Sequence, residues 1–144
     1  MTYTIEQVQN ALLSALKVSD LKGLCGEMDH YNGSIDDLVQ KIEQMPVVKP
    51  SAFVLYLGSE FSGEGSNPYL DGQFFGVALV VKDLRGGSDL KQSMNSLLEI
   101  CKTALIDKTL GLEISPLVPV RIRPVRVTKL FSIYSFDVKT IFEM

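Results

Sequence analysis

The chain has 144 residues, 46% of them hydrophobic and 22% charged, with a net charge of -3 at pH 7. Such a length suits one domain, residues 1–144, able to bury roughly two thirds of its unfolded surface without a disulfide, and the composition excludes a disordered tail. The acidic balance excludes a general nucleic-acid binder, whose footprint is a broadly basic face. The start, MTYTIEQVQN, lacks the basic residues and apolar run of a signal peptide, and no apolar segment approaches the ~20 residues of a membrane span. A soluble protein made in a cytoplasm is expected, with no membrane partner and no direct nucleic-acid recognition.

Thr4-Ile-Glu-Gln7 reads as a capping box, in which the threonine hydroxyl accepts from a free N–H and the glutamine reaches back to the cap. Ile5, Val8, Leu12 and Leu16 then recur at helical spacing as far as about Lys17. Ser34-Ile-Asp-Asp37 opens a second helix in the same way, with Ile35, Leu38, Ile42 and Met45 on one side and Pro46 and Pro50 marking its end. AFVLYL, residues 52–57, and QFFGVALVV, residues 73–81, are rich in β-branched and aromatic residues and read as strands buried on both faces at the centre of a sheet. Ser88 caps the longest helix. Its Leu90, Met94, Leu97, Leu98, Cys101 and Leu105 form a wide apolar stripe for one sheet face, and Gly111 lies just beyond its end.

Strand returns in the last quarter. PVRIRPVRV, residues 119–127, carries three of the chain's four arginines. Before Pro124 the apolar side chains are Val120 and Ile122, opposite Arg121 and Arg123. After it the apolar set is Val125 and Val127, opposite Arg126 and Thr128. A bulge or break at the proline produces that reversal and keeps the arginines on one face. In a last strand Tyr134, Phe136 and Val138 alternate with Ser135, Asp137 and Lys139, which predicts one buried face and one wet face. The order is α-α-β-β-α-β-β: an α+β domain with a mostly antiparallel sheet of four or five strands and helices on one face.

Candidates for chemistry are few. Cys25 and His30 can in principle form a thiolate–imidazole pair, but a reactive cysteine needs an activating environment, and a DHYNGS turn before a helix accounts for His30. One histidine and two distant cysteines do not make a zinc cage. Asp36 and Asp37, in a first helical turn, complement free N–H groups and the helix dipole. GSEFSGEGSNPYLDG lacks the lysine and hydroxyl ending of a phosphate-binding loop. No catalytic residue, cofactor or metal is expected.

Two stretches suit contacts instead. The segment 58–72 joins two strands with 15 residues, longer than a hairpin needs, and mixes Glu60, Glu64 and Asp71 with Phe61, Tyr69 and Leu70. Arg121, Arg123, Arg126 and Lys129 form a basic strand face. Such a face is either an edge-protecting charge row or a subunit interface, because the planar guanidinium pairs with carboxylates and stacks on aromatics. Glu60 or Glu64 of one copy against Arg121, Arg123 or Arg126 of the next would join copies head to tail, the arrangement that closes into rings. Glu60, Phe61, Glu64, Tyr69 and the four basic residues are therefore the candidate contact interface.

The N-terminal helix, "PSAFVLYLGSEF", "FFGVALVVKDLRGG", the long helix and the closing "VRVTKLFSIYSFDVKT", in that order, resemble the Mu-like phage tail-terminator family of minor tail proteins over nearly the whole chain. The resemblance implies a structural, non-catalytic protein that forms a ring, usually of six subunits, on the last tube ring of a tail. It implies that this ring stops polymerisation and presents a surface for head joining. The implied partners are further copies of the chain, the tube protein, the sheath of a contractile tail, and neck proteins. The implied place is the tail–neck junction of a virion assembled in the bacterial cytoplasm. A small ligand- or peptide-binding module is the competing reading.

Overall fold

A computed structural model describes residues 3–44, 50–63, 70–82, 88–112, 116–128 and 131–143. The elements run α1 Ile5–Lys17, α2 Leu21–Leu24, β1 Glu27–His30, α3 Ile35–Gln44, β2 Ser51–Ser62, β3 Leu70–Lys82, α4 Ser88–Leu105, β4 Val118–Val127 and β5 Phe131–Glu143. The seven expected elements come in the expected order, and α2 and β1 are additions. The capping box is formed: Gln7 N–H donates to Thr4 Oγ1 at 3.1 Å and Thr4 N–H to Gln7 Oε1 at 2.8 Å. Two otherwise orphaned donors at the start of α1 are thus satisfied. Asp37 N–H donates to Ser34 Oγ at 3.1 Å and starts α3 in a related way.

All five strands share one sheet in the order β1-β2-β3-β5-β4. Only β1–β2 is parallel; the other three pairings are antiparallel. The stretch around His30 is thus a strand rather than only a turn. The central strands bury both faces, and each face has its own cover. On one, Val8, Leu12 and Leu16 of α1 and Met94, Leu97 and Cys101 of α4 pack over Ala52, Val54, Phe75, Val77, Leu79, Phe136 and Val138. On the other, Leu38 and Ile42 of α3 pack over Phe53, Leu55, Ala78, Val80, Phe131 and Ile133. The helices therefore lie on both faces of the sheet, which corrects the expectation of helices on one face. Continuous apolar runs such as AFVL and VALVV place a buried side chain on both sides of a strand, so an uncovered second face would leave Phe53, Leu55 and Val80 in water. Full burial of each such side chain contributes about 1.5–3 kcal/mol.

Residues 58–62 and 70–72 belong to β2 and β3, so the expected 15-residue loop is strand at both ends, and its residues 64–69 lie outside the described residues. A bulge between Tyr56 and Gly58 is followed by pairing of Gly58 with Phe74, Glu60 with Gly72 and Ser62 with Leu70. Gly58 has φ +133°, a conformation that a side chain disfavours, and it lets β2 resume its register beyond the bulge. The result is a long β2–β3 arm.

Candidate functional site

The arginines lie on an edge strand. β4 pairs only with β5 among the described residues, and its register shifts twice, between Pro119 and Arg121 and between Pro124 and Arg126. Each shift leaves one residue unpaired. Arg121 is therefore opposite Asp137, Arg123 opposite Ser135 and Arg126 opposite Ile133. Because Ser135 and Asp137 share a face with Ile133, all three arginines point to the α3 side of the sheet, as the parity reversal at Pro124 predicts.

The partner of this row was not expected. Asp137 is 2% exposed and Ser135 fully buried, so the face of β5 read as wet is closed at its centre. Arg121 Nε and Arg123 Nε both donate to Asp137 Oδ2, each at 3.0 Å, while Ser135 Oγ donates to Asp137 Oδ1 at 2.6 Å. A buried carboxylate without partners would cost several kcal/mol; here three donors replace its water. The arginine side chains keep 62% and 30% of their surface exposed. Arg126 makes a looser pair with Glu43 of α3, at 3.5 Å. Two guanidinium groups on one carboxylate leave the cluster with a net positive charge on a fixed scaffold. It presents that charge at the sheet's edge.

Gly76 makes this possible from the next strand. A Cβ there would lie 2.8 Å from Ser135 Oγ, 3.1 Å from Asp137 Oδ1 and 3.2 Å from Leu57 Cδ1. The missing side chain is the space into which the carboxylate and hydroxyl fold. Sequence reasoning missed Asp137, Ser135, Gly76 and Glu43. The available signal was the register of the β4–β5 hairpin, which puts Asp137 beside the arginines 14 and 16 residues earlier.

Beside the cluster runs an open groove of about 310 Å³, with Leu57, Glu60, Phe74, Val120 and Arg121 among its walls. Glu60 and Arg121, expected to meet across two copies, thus face the same groove of one chain. Phe61 stands at the end of the β2–β3 arm with 63% of its surface exposed. Glu64, Tyr69 and Lys129 lie outside the described residues.

The other candidates sit elsewhere. Burial pushes the Cys25 thiol up to about 11 and the Cys101 thiol up to about 12, the latter also through the nearby Cys25. That is the reverse of an activated nucleophile. His30 Nδ1 lies 3.3 Å from the exposed carboxylate of Asp29, its neighbour in β1. Among the described residues no group of histidine, cysteine and carboxylate side chains is placed to hold a metal ion, and no helix is long and apolar enough to cross a membrane.

A chain from a solved "Virion of native gene transfer agent (GTA) particle" superposes with a TM-score of 0.62 at 15% identity, covering 99% of this chain and 100% of that one. At that identity the likeness is one of fold. No curated protein matches in sequence. The model of the family described as "Bacteriophage Mu, Gp37" matches residues 4–143, every element from α1 to β5. The chain belongs to this bacteriophage Mu Gp37 family.

Proposed function

We propose that the chain is the subunit of a ring, of six copies, that caps the tail tube of a phage or phage-tail-like particle. The ring ends tube polymerisation and offers the surface on which neck and head join. The observation that carries this reading is the family match over residues 4–143. The fold likeness to a chain of a gene transfer agent virion supports it, since that chain is itself part of an assembled particle.

The geometry fits such a role. A capping ring needs one surface for its neighbours and another for the tube. The β4 edge, with Arg121 and Arg123 held on Asp137 and Arg126 on Glu43, is the first. The end of the β2–β3 arm, with Glu60 and exposed Phe61, and with Glu64 and Tyr69 following in sequence, is the second. Lys129 follows β4 two residues on in sequence and adds to its basic charge. Six weak contacts made together on a tube end give high overall affinity, so no single patch has to bind tightly. The work is done by surfaces, without substrate turnover.

Negative-stain microscopy of the purified chain mixed with tail tubes tests the reading. Rings seated on one tube end, which then fail to elongate when tube protein is added, are the expected result. Tubes that stay bare and continue to grow would contradict it.

A further inference from the structure

The ends of the sheet carry opposite charges in the same rows. Following the register across all five strands, one row runs Glu27, Ser51, Val80, Ile133, Arg126 and the next Asp29, Phe53, Ala78, Ser135, Arg123. Residues in register share a face, so each row begins in an acid on β1 and ends in an arginine on β4. Glu27 and Asp29 are exposed, as is Arg126, and Arg123 is half-buried. Among the described residues β1 and β4 are the two outer strands, and three reversals of direction between them make them antiparallel to each other. A second copy placed beside the first, continuing the sheet, brings its β1 against β4 with Glu27 facing Arg126 and Asp29 facing Arg123.

We propose that this β4-to-β1 contact between successive copies is the subunit interface. The inference rests on the ring reading above and supplies its missing contact. The two surfaces lie at opposite ends of one sheet, which is what a head-to-tail ring requires and a two-fold dimer does not. Joining β4 to β4 instead would set two arginine rows against each other, a like-charge arrangement that costs several kcal/mol. The apolar side fits as well. Ile122 and Val127 of β4 are exposed on the opposite face, and half-buried Met28 of β1 is the neighbour's residue on that side. Pro119 and Pro124 withhold N–H donors from β4, so the contact rests on these side-chain rows rather than on an unbroken backbone ladder. Among the described residues each arginine meets its own chain's carboxylate through Nε, and a guanidinium has five N–H donors. The terminal groups serve the neighbour while Asp137 fixes Arg121 and Arg123 and Glu43 holds Arg126.

The test is zero-length carbodiimide coupling of the Arg126→Lys variant, as an equal mixture of isotopically heavy and light protein, on tube-bound assemblies. Peptides joining Lys at position 126 to Glu27 between heavy and light chains are expected. Glu27→Arg, at an exposed position far from the core, is expected to weaken association about tenfold, and combining it with Arg126→Glu to recover most of that loss. Intact rings that contain no such cross-link and tolerate Glu27→Arg would overturn the proposed contact and leave the ring reading standing. Failure of the wild-type chain to assemble at all, alone or on tubes, would overturn both.

Discussion

Gly76 and Asp137 face each other across the β3–β5 pairing so closely that a Cβ on the glycine would stand 3.1 Å from the aspartate's Oδ1. Neither neighbour can yield cheaply: Asp137 is tied to two arginines, and Ser135, 2.8 Å from the same point, donates to it. Gly76→Ala should therefore destabilise the fold by about 2 kcal/mol, in the range of overpacking a filled interior. Urea unfolding followed by circular dichroism measures this. Unchanged stability would mean that the cluster is looser than described.

The arginine row should respond to mutation in a definite order. Asp137→Ala leaves two guanidinium groups without their shared acceptor and empties a buried site, with an expected loss of about 3 kcal/mol. Arg123→Gln, at a half-buried position, should cost less, and Arg121→Gln, the more exposed of the two, under about 1 kcal/mol. A thermal-unfolding series reads the order. Equal effects at all three positions would contradict the burial gradient.

Much of this fold was legible in the sequence because its signals are local. Thr4 and Gln7 are three residues apart, and the capping box they form is decided within one helical turn. The parity switch at Pro124 is likewise visible in nine residues, and it correctly kept Arg121, Arg123 and Arg126 together. What stayed hidden depends on strand pairing. Asp137 reads as a solvent-facing residue until β4 is laid beside β5, and Gly76 reads as a weak point in a strand until Asp137 is set above it. β1 has only four residues and acquires its structure from the parallel edge of β2. The split of helices between two faces was implicit in strands apolar on both sides, but which helix takes which face is a matter of chain path.

Both thiols should be slow nucleophiles near neutral pH. With folded values of about 11 for Cys25 and about 12 for Cys101 against 9.0 for an ordinary thiol, the native protein holds these protons where the unfolded chain has lost them. The protein binds more protons folded than unfolded above pH 9, so this stabilisation is complete below that pH and is lost as pH rises through 11 and 12. Iodoacetamide labelling at pH 7 and 9 checks this: slow modification of both, with half-buried Cys25 ahead of buried Cys101. Rapid alkylation of either at pH 7 would reopen a catalytic reading.

The arm and the core should separate in their effects. Phe61→Ser removes an exposed aromatic at the end of the β2–β3 arm and is expected to leave unfolding within about 0.5 kcal/mol of the wild type, as for surface substitutions generally. Binding to tube ends should weaken. Sedimentation of the variant with tail tubes compares the two. Full binding would move the tube contact away from the arm.

Termination itself is tested most directly by the length of tails. In particles made without this gene, negative-stain electron microscopy should show overlong, uncapped tails without heads, and restoring the gene should return a single sharp length. Tails of normal length joined to heads in the gene's absence would contradict the account.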